Sequence, residues 1–161
     1  MGFALSDMQL TSPAWATGEP IPVCYTGEGE DLSPPLAWSG VPSGVRSLAV
    51  ICHDPDAPLV KPGQYGFVHW VLYNLPPDVA GLEEGTALGT TGHTDFGRTG
   101  YGGPMPPPGH GVHHYFFWLL ALDRDLQAPP GLALDAFLER AEPHVIAMNR
   151  LVGTFERRGG G

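Results

Sequence analysis

Three stretches of the chain are apolar almost without a break: Ser47 to Cys52, Phe67 to Leu75 and His113 to Asp123. Each has strand length and carries β-branched or aromatic residues, which predicts three buried strands. The first runs into Asp54-Pro55, where the residue before proline is pushed to extended geometry. The second is stopped by Pro76-Pro77. A helical period appears in one place only. Leu134, Phe137, Leu138 and Ala141 fall at i, i+3, i+4 and i+7, which predicts a helix over 134–141. Pro143 suits the first position of a second short helix, through Met148. Asn149 to Arg157 alternates well enough for a closing strand.

The remaining segments are short and cut by turn signals. Phe3 to Leu10 predicts a short strand, and Ser33 to Trp38 an extended entry into another. Small strands are expected near Gly81-Leu82 and Ala87-Leu88-Gly89. Leu59 to Gly66 and Thr90 to Gly103 read as loops, and no helix is expected in the first 45 residues. With 23 glycines and 18 prolines in 161 residues, spread without a period, the chain reads as loop-rich and strand-rich. The pattern predicts one β-rich domain over 1–158 with a small C-terminal helical element. Residues 159–161, all glycine, read as a frayed tail.

Composition narrows the function classes. A formal net charge of −9 repels nucleic acid and anionic membrane surfaces, and no Lys/Arg run offers a local exception. There is no basic, apolar leader at the start, and no apolar run approaches the roughly 18 residues of a membrane span. Cys24 and Cys52 form no Cys-x-x-Cys and read as free thiols of a reducing cytoplasm.

The buried strands carry ionisable groups where core residues belong, and burial of such groups is costly unless they are paired or line a cleft. Asp54 closes the first strand. His69 interrupts the second and, by the period of two, shares a face with Phe67 and Val71. His113 and Tyr115 share a face of the third, with His114 on the other. His110-x-x-His113-His114 lacks the spacing and acidic neighbours of a metal site, so no metal is expected. No Gly-x-Ser-x-Gly, dinucleotide fingerprint or P-loop is present, so hydrolase and nucleotide readings lack their minimal parts. What remains is a pocket of Asp54, His69, His113 and Tyr115 beside the stiff loop Gly100 to Gly109. The amides of Gly102 and Gly103 are expected to be available there to an anion. Imidazoles and amides suit phosphate or carboxylate, and Asp54 suits a histidine tautomer or a ligand amine.

These residues also carry a resemblance. The chain resembles the phosphatidylethanolamine-binding protein family, also called the Raf kinase inhibitor protein family, and in particular its bacterial branch. The resemblance runs from Phe3 to Arg157. It rests on Gly29-Glu-Asp-Leu-Ser-Pro-Pro-Leu-x-Trp38, Asp54-Pro-Asp-Ala-Pro58, His69-Trp-Val-Leu-Tyr-Asn74, Thr94-Asp-Phe-Gly-x-x-Gly-Tyr101 and Gly103-Pro-x-Pro-Pro-x-Gly109 before His113-His-Tyr115. It implies a mainly β fold: a large central antiparallel sheet, a smaller second sheet, and a short C-terminal helical element. It implies that the family's ligand-binding residues fall on Asp54, His69, Gly103, Pro106, His113 and Tyr115, with a cis candidate at Ala57–Pro58. His110 and His114 drop out as surface or back-face residues. Met105 stands where mammalian members tend to have a small residue, and the chain is too short for their longer C-terminal helix. The resemblance also implies a homodimer.

The expected function is therefore binding of a small anionic or zwitterionic ligand, such as phosphate, a phosphoethanolamine headgroup or a carboxylate, without a cofactor. A regulatory or inhibitory role towards a partner protein, a kinase or a protease, comes with it from the resemblance. The alternatives are an acid–base enzyme using Asp54, His69 and His113, and a protease inhibitor acting through its surface.

Overall fold

The computed structural model describes residues 6–55 and 66–157. The proposed cis bond at Ala57–Pro58 and the loop read over Leu59 to Gly66, apart from Gly66 itself, lie outside them. The elements in chain order are β1 (Gln9–Thr11), β2 (Leu36–Ser39), β3 (Ser47–Asp54), β4 (Phe67–Leu75), β5 (Gly81–Leu82), β6 (Thr90–Thr91), β7 (His113–Leu122), α1 (Leu134–Ala141) and β8 (Val145–Phe155). Strands β6-β4-β3-β7-β8 form an antiparallel sheet of five, and β1-β2-β5 an antiparallel sheet of three. This is the mainly β architecture expected, with a large sheet, a small sheet and one short helix near the C-terminus.

The large sheet is covered on both faces, which is why β3, β4 and β7 are apolar without alternation. On one face Leu48, Val50, Cys52, Trp70, Phe117 and Leu119 pack against Leu10, Leu36, Trp38 and Leu82 of the small sheet. On the other, Ala49, Ile51, Val71, Tyr73, Leu120 and Leu122 pack against Leu134, Phe137 and Ala141 of α1. The Tyr73 and Phe137 rings stack at 4.9 Å across that second interface.

Several boundaries differ from the sequence reading. Pro143 opens only a single 3-10 turn, Glu142–His144, and β8 starts at once at Val145 rather than at Asn149. Val145 to Ala147 pair with Leu122 and Ala121, so sheet partners outweigh the local helical preference. A 3-10 turn also forms at Val23–Tyr25, where no helix was expected. The strand expected at 87–89 forms at Thr90–Thr91 instead, because Gly89 adopts φ +78 and cannot extend the strand.

One irregularity positions the site. Across β3 and β4, Cys52 faces Trp70 and His53 faces Val68, so His69 is an extra residue on β4. Such a bulge re-aims side chains. Val68 and Val71 point to the helix face, while Trp70 points to the small-sheet side. The His69 ring lies 5.2 Å from that of Tyr115, which also belongs to the small-sheet side. His69 therefore does not share a face with Val71, as a regular strand would require.

Candidate functional site

Asp54, His69, His113 and Tyr115 come together at one end of the large sheet, from β3, β4 and β7. All four are buried, at 1–3% exposure. His113 lies opposite Phe155 on β8, and Tyr115 opposite Gly153, so both sit on a strand paired at its two edges. The expected face is the observed one: His113 and Tyr115 point together, with ring centroids 6.4 Å apart, and His114 is exposed. His53, one residue before Asp54, takes the opposite face. There it accepts a hydrogen bond from the Trp118 indole and lines an apolar cavity of about 220 Å³ beside α1.

The hydrogen bonds make both imidazoles donors at Nδ1. His113 Nδ1 is 2.6 Å from Asp54 Oδ2. An ionised carboxylate only accepts, so His113 carries a proton on Nδ1. His69 Nδ1 is 2.6 Å from the carbonyl oxygen of Gly102, which also only accepts. His69 is thus a donor at Nδ1, and when neutral an acceptor at Nε2. It is neutral over the ordinary pH range, because burial drives its pKa down to about 4. The Gly102 and Gly103 backbone bonds partly oppose that shift, and the neighbouring His53 and His113 add to it.

The loop is held differently from the sequence reading. Gly102 N–H donates to the His69 carbonyl at 3.0 Å, and Gly103 N–H to Asp31 Oδ1 at 2.7 Å. Neither amide is available to an anion, because buried backbone donors take protein partners wherever they can. Their glycines serve close packing instead. A Cβ on Gly103 would lie 2.4 Å from the Tyr25 carbonyl oxygen and 2.6 Å from Asp31 Oδ1. A Cβ on Gly102 would meet the Phe96 ring at 2.3 Å. Pro106 is buried, and its carbonyl accepts a 3.4 Å bond from Arg157. Met105 is 42% exposed, at the rim, with its side chain over Gly27.

Three groups belong to the site that sequence reasoning did not place there. Asp31, at φ +58, anchors Gly103 and lies 3.7 Å from Arg98. Phe96 and Phe67 pack their rings 5.3 and 5.0 Å from His69. Asp31 and Phe96 lie within quoted motifs, so position in a motif was the one signal for them. His110 is the third. It was set aside as a surface residue, and it is exposed, but its Nδ1 lies 2.5 Å from His113 Nε2. Its i, i+3 spacing to His113 was visible, but was weighed only as a metal pattern.

The comparisons with known proteins bear on family and fold. A family model described as "Phosphatidylethanolamine-binding protein" matches residues 11–156. The chain belongs to the phosphatidylethanolamine-binding protein family. A relative from Methanothermobacter thermautotrophicus named UPF0098 protein is 43% identical over 157 residues, covering 93% of this chain and 99% of that one. A crystal structure of a putative homolog of the family from Chlamydia trachomatis superposes with a TM-score of 0.87 at 40% identity, covering 93% of this chain and 97% of that one. Escherichia coli YbcL, described as a new member of the mammalian family, follows at TM-score 0.84 and 32% identity, covering 95% and 100%. Family and fold together support ligand binding in general. No helix among the described residues is long and apolar enough to cross a membrane. A Mycobacterium tuberculosis relative, 39% identical over 155 residues, is named a putative lipoprotein, so family membership does not fix a compartment.

Proposed function

We propose that this protein binds a small ligand carrying both an anionic oxygen and a hydrogen-bond donor, such as a phosphomonoester monoanion or phosphoethanolamine. The ligand-binding residues are Asp54, His69, His113 and Tyr115, with Gly103 and Pro106 shaping the loop beside them. One observation carries the reading: two buried histidines at one end of the sheet are each held at Nδ1, by Asp54 and by the Gly102 carbonyl, which makes Nε2 the outward nitrogen of each. With Nδ1 bonded to Asp54, His113 accepts at Nε2 when neutral and donates there to an anionic oxygen when protonated. His69, neutral and proton-bearing at Nδ1, offers Nε2 to a ligand N–H or O–H. A fully ionised anion satisfies only the first. Recognition therefore rests on matched donors and acceptors, and the available amides of the sequence reading are not needed.

The same Asp–His pair is also the arrangement that orients a general base. An acid–base enzyme is the second reading on that ground. The described thiol nearest the site does not favour a covalent step. Cys52 is buried, and burial, followed by the Asp54 charge, pushes its pKa well above the usual thiol range. Control of a partner protein, protease inhibition and a homodimer stay attached to the family resemblance, and a cytoplasmic setting to the two free thiols. Each has its own test, such as co-elution with a protease or a sedimentation mass.

Calorimetric titration with phosphate, phosphoethanolamine and acetate tests the main reading. Saturable binding of phosphoethanolamine, weakened in His69→Ala, supports it. Heats of dilution alone for all three probes, between about pH 5 and pH 8 where histidine titrates, would sink it.

A further inference from the structure

The nitrogen of His113 that a ligand oxygen needs is already engaged. His110 Nδ1 sits 2.5 Å from His113 Nε2, with the rings nearly edge to face at 4.8 Å and 60°. At that separation there is room for one proton between the two nitrogens. Either neutral His113 accepts from His110, or protonated His113 donates to it. In both cases an anionic oxygen aimed at His113 Nε2 meets the His110 ring first.

The backbone around His110 suits a side chain that moves. Gly109 and Gly111, on either side, have φ +73 and +100, conformations that other residues rarely hold. The turn itself is pinned, by His110 N–H to the Pro107 carbonyl at 3.1 Å and Gly109 N–H to the Arg157 carbonyl at 2.9 Å. His110 is exposed, so its ring swings into solvent without opening the buried Asp54–His113 pair behind it. Its neighbour Val112 is 53% exposed and offers no lid over that movement.

We propose that His110 is a displaceable plug: it holds the ligand-facing nitrogen of His113 in the unliganded protein and must leave before an anion binds. The inference rests on the ligand reading above and adds the residue that sets affinity and entry rate at that site. A plug competes with the ligand, so its removal tightens binding. A ligand contact at the same position would do the opposite.

The test uses the full chain as wild type, His110→Ala and His114→Ala, the last removing an exposed histidine from the other face of β7. Inorganic phosphate and phosphoethanolamine are the probes, read by calorimetry. The expected result is binding about 2- to 10-fold tighter in His110→Ala, the net worth of one hydrogen bond, and unchanged in His114→Ala. Equal or weaker binding in His110→Ala overturns the plug and leaves the ligand reading standing. No binding by any of the proteins overturns both. A proton spectrum of the unliganded wild type gives an independent readout. An imidazole N–H shared between His110 and His113, absent from His110→Ala and lost on adding phosphate, is expected. Its absence from the wild type overturns the plug without touching the ligand reading.

Discussion

His113 Nδ1 donates to Asp54 Oδ2 across 2.6 Å, and both side chains are almost wholly buried. The two come from neighbouring strands, β3 and β7, at the end where the sheet meets the loop over 100–109. The bond fixes which nitrogen of His113 faces outward. It also keeps a carboxylate inside the protein that would be costly if it lost its partner.

Asp54→Asn is therefore expected to lower stability by about 1–3 kcal/mol, the cost of leaving a buried polar partner imperfectly paired. Urea denaturation measures it. A loss well below that range would mean that Asp54 and His113 are not coupled in the fold.

His69 sets an acid limit on stability. Its pKa is about 4 in the folded protein against 6.5 unfolded, so the unfolded chain takes up the proton first as pH falls. The stability present above the unfolded value is lost progressively between those two pH values, by on the order of 3 kcal/mol from this one group. His69→Gln should flatten that decline when urea midpoints at neutral and acid pH are compared. A His69 ring signal titrating near its ordinary value in the native spectrum would contradict the burial argument.

Two glycines of the loop region separate steric need from mere presence. Gly103→Ala places a methyl against the Tyr25 backbone and the Asp31 carboxylate, and is expected to cost about 1–3 kcal/mol. Gly27→Ala meets the side chain of Met105, which is part-exposed and can shift, so a change within about 0.5 kcal/mol is expected. Thermal melts of the two variants check the contrast, and equal losses would contradict it.

Much of the fold was legible from β3, β4, β7 and α1. Phe67–Leu75 and Leu134–Ala141 are observed with the bounds that their patterns predicted, because long runs of one period leave little choice. The five-strand order was not legible from periodicity, since which strand pairs with which depends on contacts far apart in sequence. Only the division into a large and a small antiparallel sheet came through the resemblance. At the site, Asp54 could be placed by its position at a strand end, and His113 and Tyr115 by strand alternation. His69 could not, because a bulge breaks the period of two and leaves no mark in composition. The Gly102 and Gly103 amides were misread for a related reason. A glycine permits a close approach, but the partner that makes it, here the His69 carbonyl and Asp31, lies far away in the chain.

Cys52 offers a check on the chemistry that the site does not do. It lies between the sheets at 0% exposure, whereas Cys24 is part-exposed. A thiol reagent should label Cys24 in the native protein and Cys52 only as fast as the protein opens. Rapid native labelling of Cys52 would reopen a covalent mechanism.

Titration of phosphoethanolamine into wild type and Asp54→Asn, by calorimetry near neutral pH, tests the paired-histidine site most directly. Saturable binding to the wild type is expected, weakened about tenfold or more in Asp54→Asn through loss of a charge-assisted bond. Equal binding by both proteins, or none by the wild type, would contradict it.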